Sequence, residues 1–131
     1  MSVEQAQRTV NQLNKDMASL DKKMADLVKK EADKTNKIGT TQRSITKNTS
    51  LSTLNSKNAE IQRKQSEISK IQIKKADLHK KISDKDGKLL KLKQDLAKEE
   101  EKERKKQIAN EEKERKKLLD LEKRQQREQL S

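Results

Sequence analysis

The sequence lacks the side chains from which compact protein cores are usually built. Its 131 residues include no Phe, Tyr, Trp, Pro or Cys, and only two of them are glycine. Aromatic rings bury large areas, so their absence, together with only 27% hydrophobic residues, argues against the core of a globular enzyme. The absence of cysteine excludes a disulfide framework and a thiolate metal site, and it is compatible with a reducing compartment.

Long apolar runs are absent as well. No run approaches the roughly 20 residues that cross a bilayer, and residues 1–10 lack the apolar block of a signal peptide. No helix face carries the density of large apolar side chains that insertion into a membrane surface requires. We therefore expect a soluble, cytoplasmic protein with no membrane partner.

Charged side chains, in contrast, are abundant. The chain has 34 Lys and Arg and 22 Asp and Glu, which gives a net charge of +12. This charge makes nucleic acid a candidate partner. The basic residues, however, are spread along the chain between acidic ones, and no aromatic side chain can stack on bases. We expect no specific nucleic-acid partner. Nonspecific binding of polyanions is an alternative function.

The order of the apolar residues distinguishes a coiled coil from a disordered chain. Apolar residues recur every seven positions, with a companion position three residues on, in two segments. The seam of the first segment consists of Val3, Ala6, Val10, Leu13, Met17, Leu20, Met24, Leu27, Ile38 and Ile45. The seam of the second consists of Leu54, Ile61, Ile68, Ile71, Leu78, Ile82, Leu89, Leu92 and Leu96. Such a repeat predicts that each segment lies along another helix and supercoils with it.

Charged residues interrupt both seams. Glu31 and Lys34 interrupt the first seam, and Lys75 interrupts the second. A charge inside a seam costs stability, but it can specify the register or the partner. We interpret Glu31 and Lys34 either as such a specifying pair or as a locally frayed part of the seam.

The two seams are separated by a polar break. Leu54 follows Ile45 by nine positions instead of seven, and the hydroxyl and amide side chains in between favour turns and caps. Ser50 is the predicted N-cap of the second helix. We predict an all-α antiparallel hairpin with helix 1 at about 3–46, a turn at about 47–50 and helix 2 from about 51. The rival arrangement is one long helix that pairs in parallel with a second chain.

The repeat changes after Leu96. Ala97, Ile108, Leu119 and Leu130 are eleven residues apart, and acidic and basic residues four apart are expected to pair along the helix. We therefore predict a coiled-coil hairpin over residues 1–97, followed by a charged helical stalk over 98–131 that continues helix 2. The candidate contact patch of this stalk consists of Ile108, Leu118, Leu119 and Leu121.

The sequence carries no recognisable catalytic motif. It has no Gly-rich phosphate loop, and His79 has neither a Cys nor a second His to join it in a metal site. Acidic pairs such as Glu99 and Glu103 lack a pocket that would desolvate them. We expect no catalytic residue, no cofactor and no metal, and hence no enzyme activity in this chain.

Several stretches resemble a known family when they are considered together. They are Ser-Ile-Thr-Lys at 44–47, Thr-Ser-Leu-Ser-Thr-Leu at 49–54, Glu-Ile-Gln-Arg-Lys from residue 60, and the acidic and basic run at 98–106. This region resembles the N-terminal coiled coil of bacterial TIR-domain proteins. In that family the coiled coil precedes a TIR domain, which cleaves NAD when copies are brought together, and members are associated with antiphage defence or host interference. The TIR domain itself is absent from this chain, so the resemblance carries over an architecture and no catalytic residue.

Together these features predict a non-catalytic coiled coil that self-associates, as a dimer or a higher oligomer, and clusters or positions a C-terminal effector domain in cis. By the resemblance, that effector is a TIR NAD-cleaving domain of a bacterial defence or virulence protein. The alternative is a stand-alone coiled-coil adaptor or a nonspecific polyanion-binding protein.

Overall fold

The computed structural model describes residues 2–130, which form two α-helices joined by a short turn. Helix α1 comprises Val3–Arg43 and helix α2 comprises Leu51–Leu130, with 41 and 80 residues respectively. No strand occurs among the described residues. The two helices pack against each other as an antiparallel hairpin, which confirms the predicted all-α hairpin fold.

Contacts divide the chain into two compact units, which are described separately. The first, here called the hairpin unit, is Asn11–Leu89. The second, here called the terminal unit, consists of the described residues up to Val10 together with those from Leu90 onward.

A capping box begins α1. The backbone N–H of Gln5 donates to the Ser2 hydroxyl oxygen (3.1 Å), and the backbone N–H of Ser2 donates to the Gln5 side-chain oxygen (3.2 Å). These two bonds satisfy amide groups that the first turn of a helix leaves without partners. The first helix therefore has a defined start at Val3, where the first heptad begins.

Helix α1 ends at Arg43, three residues before the predicted end at about residue 46. The Ser44 N–H is shared between the carbonyl oxygens of Thr40 and Thr41, and the Ser44 hydroxyl donates to the Thr41 carbonyl at 2.5 Å. These bonds tighten the last turn and compete with continued α-helix, as hydroxyl side chains commonly do. From the second helix, the Lys57 ammonium donates to the Ser44 carbonyl (3.2 Å) and so supplies a partner to the end of α1.

Helix α2 begins at Leu51 behind Ser50, the predicted N-cap. The Ser50 hydroxyl oxygen accepts the backbone N–H of Thr53 at 3.2 Å, which is the bond expected of an N-cap. Within the turn, the Thr46 N–H donates to the Thr49 hydroxyl (2.9 Å), and the Thr49 N–H donates to the Thr46 carbonyl (3.1 Å). Hydroxyl groups thus provide the hydrogen bonds that allow the chain to reverse direction here.

Cross-helix contacts in the hairpin unit establish the antiparallel direction. As the residue number rises along α1 it falls along α2. The pairs in this order are Asp16 with Lys85, Glu31 with Lys75, Lys34 with Glu67 and Ser44 with Lys57. The buried hydrophobic residues of this unit lie along the same line, at Leu20, Ile38, Ile61, Ile71 and Leu89.

The terminal unit has a smaller apolar contact. Ala6 is buried, and Val3, Val10, Leu92 and Leu96 are half-buried. Every described residue of α2 from Lys102 onward is exposed. The ion pairs observed here join residues three apart, Arg104 with Glu101 (2.6 Å) and Lys102 with Glu99 (3.5 Å), rather than the predicted pairs four apart.

Candidate interaction surfaces

The predicted seam residues lie along the contact between the helices within each unit. Leu20, Ile38, Ile61, Ile71 and Leu89 are buried in the hairpin unit. The remaining seam residues there are half-buried: Leu13, Met17, Met24, Leu27, Ile45, Leu54, Ile68, Leu78 and Ile82. No side chain among the described residues is less than 2% exposed, because two helices alone enclose only one side of each residue.

The charged seam residues are paired across the two helices. The Lys34 ammonium lies 2.6 Å from a Glu67 carboxylate oxygen, and the Lys75 ammonium lies 2.8 Å from a Glu31 carboxylate oxygen. The Gln72 side-chain amide also donates to Glu31 at 3.4 Å. Since α1 is continuous here and both of its charges have partners, the interpretation of a frayed seam is wrong.

These contacts change the acidity of both carboxyl groups. The hydrogen bond from Lys75 lowers the pKa of Glu31 below its ordinary value of 4.5, with a further contribution from Gln72. The hydrogen bond from Lys34 likewise lowers the pKa of Glu67. In both cases donation to the ionised carboxylate favours the charged form, and this effect outweighs the partial desolvation that opposes it.

One flank of the hairpin unit carries a groove between α1 and α2 that is bordered by lysines. We call it the lysine groove. It has two sections that share Leu27, Lys30 and Lys74 and are therefore continuous. The other residues that line it are Lys23, Asp33, Lys34, Lys37, Glu67, Lys70, Ile71, Asp77, Leu78 and Lys81.

The opposite flank of the hairpin unit is less basic. At 100° per residue, Val28 and Ala32 lie on the other side of the α1 seam from Lys23 and Lys30. We call this surface the Val28 flank, which is lined by Val28, Glu31, Ala32, Thr35, Asn36 and Lys75. Val28 is 48% exposed, so an apolar side chain is open to solvent beside the seam.

Further apolar side chains are exposed on α2 in the terminal unit. The residues of the predicted stalk patch are open to solvent, and Leu118 is 61% exposed. Ile108, Leu119 and Leu121 are also exposed, and these side chains pack against no other helix among the described residues.

The described part of the chain shows no arrangement suited to metal binding. It contains no group of three or more His, Cys, Asp or Glu side chains that could hold an ion, and His79 is exposed. Between residues 2 and 130 neither helix includes a stretch long and apolar enough to cross a membrane.

The lysine groove is the feature that the sequence analysis missed. Its signal was present in the sequence, because Lys23, Lys30 and Lys37 recur every seven residues, as do Lys74 and Lys81. Lysines are so frequent along the chain that this spacing is inconspicuous until the pairing of the two helices is known.

Comparison of the chain with protein-family models, with curated proteins and with solved structures gives no match, so the function has to be inferred from these surfaces.

Proposed function

We propose that this chain is a non-catalytic helical scaffold that self-associates as a dimer through its hairpin unit. The observation that supports it is the incomplete burial of the seam, in which nine apolar positions of the hairpin unit stay half-exposed after α1 and α2 have paired. A second copy that covers part of this surface would remove apolar area from water at roughly 25 cal/mol per Å².

The Val28 flank is the surface on which we expect the second copy. The lysine groove on the other flank would place like charges together in a symmetric dimer, which is unfavourable. The Val28 flank instead combines the exposed Val28 and Ala32 with Glu31 and Lys75, whose opposite charges already neutralise each other.

The purpose of this association, in our proposal, is to bring together copies of an effector domain that follows the chain. The helical stretch 97–130 spans roughly 50 Å at 1.5 Å per residue and would separate such a domain from the seam residue Leu96. The sequence resemblance suggests a TIR domain that cleaves NAD in bacterial defence or virulence. Joining copies through one scaffold raises their effective concentration, which benefits an enzyme that acts only when clustered.

We further propose that the protein acts in the cytoplasm, since a chain without cysteine suits a reducing compartment.

Light scattering coupled to size-exclusion chromatography tests self-association directly. We expect the full chain, at low micromolar concentration, to have twice its monomer mass of 15.2 kDa. Val28→Glu should shift the mass to that of the monomer, because it places a carboxylate beside Glu31 in the contact. Ile73→Glu, a matched control at a residue 64% exposed on α2 and outside the Val28 flank, should remain dimeric.

A monomeric, helical wild-type chain would refute the scaffold proposal. The alternative of a stand-alone adaptor is distinguished by the open reading frame beyond Ser131. A TIR-like or other domain in frame supports the effector proposal, whereas a stop codon supports the adaptor.

A further inference from the structure

We propose that the lysine groove is a docking site for an acidic amphipathic helix of another protein. This helix would lie between α1 and α2 as a third helix of the coiled coil. The partner would carry apolar residues in heptad spacing along one face and Glu or Asp on both sides of that face. This site is separate from the Val28 flank proposed for self-association.

The floor and the borders of the groove differ in chemistry. Leu27 and Leu78 are half-buried seam residues that supply apolar surface between the helices, and the buried Ile71 adds a smaller part of the lining. The borders are mainly lysines, which are exposed except for the half-buried Lys34, and Asp33 and Asp77 also line the groove. An apolar floor between basic borders matches an apolar helix face that is flanked by acids.

Most of the border charges are available to a partner. Within residues 2–130, Lys23, Lys30 and Lys74 form no ion pair, and neither does Lys81. Lys34 differs, because its ammonium is already bound to Glu67. An acidic helix would therefore give these lysines partners without breaking the cross-helix pairs that stabilise the hairpin.

The spacing of the lysines fits a helix better than a nucleic acid. Lys23, Lys30 and Lys37 are seven residues apart, so a border lysine recurs roughly every 10 Å along α1. Acids at the flanking positions of a heptad recur at this same interval. Phosphates recur every 3.4 Å or so along one strand of a duplex, and no aromatic ring is present to stack on bases.

A second copy of this chain is a poorer occupant. Its hairpin unit would bring the same lysines to the groove, and each copy carries a net charge of +12. Its charged stretch 97–130 has the wrong period, because Glu100, Glu111 and Glu122 recur every eleven residues. From Lys23 to Lys37 the groove runs roughly 21 Å, which accommodates about two heptads of a partner helix.

Binding of a designed peptide to the full chain, measured by fluorescence anisotropy, tests this inference. The probe is a labelled peptide of three heptads with Leu at the a and d positions and Glu at e and g, so that its own charges oppose self-pairing. We expect saturable binding that weakens as salt is raised, since the contact is partly electrostatic. Two further peptides, one with Lys at e and g and one with Ser at a and d, should each bind at least tenfold more weakly.

Charge reversal locates the site. Lys30→Glu with Lys74→Glu should weaken binding of the Leu/Glu peptide at least tenfold. The matched control, Lys29→Glu with Lys80→Glu, removes the same charge from exposed residues outside the groove and should change the affinity less than threefold. Circular dichroism checks that each variant is folded, and Lys30→Gln with Lys74→Gln provides a milder version if the reversal disturbs the hairpin.

Three results would overturn the inference. They are no binding of the Leu/Glu peptide, equal loss in the groove variant and the control, or tighter binding of a single-stranded oligonucleotide that depends on Lys30 and Lys74. The last result would show that the groove binds the phosphate groups of a nucleic acid. None of these measurements depends on self-association, which light scattering of the chain alone reports.

Discussion

Glu31 and Glu67 show how charged residues are accommodated in and beside an apolar seam. Each carboxylate accepts a hydrogen bond from a lysine of the opposite helix, Lys75 and Lys34 respectively, and keeps part of its surface in water. The charges that interrupt the heptads therefore contribute cross-helix contacts in place of apolar ones.

The lowered pKa values of Glu31 and Glu67 predict that the hairpin loses stability in acid. Because each pKa is lower in the folded chain than in the unfolded one, the unfolded chain takes up protons first as the pH falls. The stabilisation is thus complete above the ordinary value of 4.5 and is lost as the pH falls through the lowered values. Thermal unfolding followed by circular dichroism from neutral to acidic pH measures this loss.

A double variant, Glu31→Gln with Glu67→Gln, isolates the effect. We expect it to unfold at a lower temperature than wild type at neutral pH and to show a flatter pH dependence. Glu114→Gln, at an exposed residue of the terminal unit, serves as the control and should follow the wild-type profile. A double variant as sensitive to acid as wild type would mean that other groups control the response.

At the scale of the elements, the hairpin is stabilised by one narrow line of apolar contact. Two helices bury a stripe between them, and even its most buried large residue, Ile71, is still 7% exposed. Part of α2 is helical without any buried apolar stripe. It continues to Leu130 through a stretch in which all residues are exposed. Cross-helix packing therefore determines the stability of the hairpin unit, whereas local charge pairs support the remainder of α2.

Two isoleucines of α2 provide a matched test of the seam. Ile61→Ala removes a buried side chain and should lower the free energy of unfolding by about 2 kcal/mol. Ile73→Ala, at a residue 64% exposed, should change it by less than about 0.5 kcal/mol. Urea unfolding followed by circular dichroism at 222 nm compares them. Equal effects of the two substitutions would show that the contact between α1 and α2 lies elsewhere.

On the scale of the whole molecule, apolar surface remains open in both units. The Val28 flank and the lysine groove belong to the hairpin unit, and the exposed leucines at 118, 119 and 121 belong to the terminal unit. Exposed apolar surface of this kind is what our scaffold proposal requires, since a scaffold uses its surfaces to bind other chains.

A truncated chain tests whether the hairpin unit or the exposed leucines at 118, 119 and 121 carry self-association. Deletion of residues 103–131 removes the exposed leucines and leaves the seam residues of both units intact. If the hairpin unit carries the dimer, the shortened chain should keep twice its own monomer mass in light scattering and unfold within a few degrees of the full chain. A shortened chain that is monomeric while the full chain is dimeric would transfer the interface to the exposed leucines.

The sequence alone determined the fold class and the course of the seam. Heptad spacing is a local property of the chain, so the apolar residues that face another helix could be identified before any partner was known. The break after Ile45 and the hydroxyl at Ser50 likewise predicted a turn and a cap from short-range chemistry. The end of α1 was placed too late, because competition between hydroxyl groups and helical bonds shifts a boundary by a few residues.

Only the tertiary structure decided which residues of the two helices meet. A heptad repeat allows several alignments that differ by whole heptads, and the length of the turn and the packing of side chains select one of them. That alignment places Glu31 beside Lys75 and Lys34 beside Glu67. It also brings Lys30 and Lys74 to the same groove although they are distant in the sequence, and this proximity is a property of the register rather than of either helix.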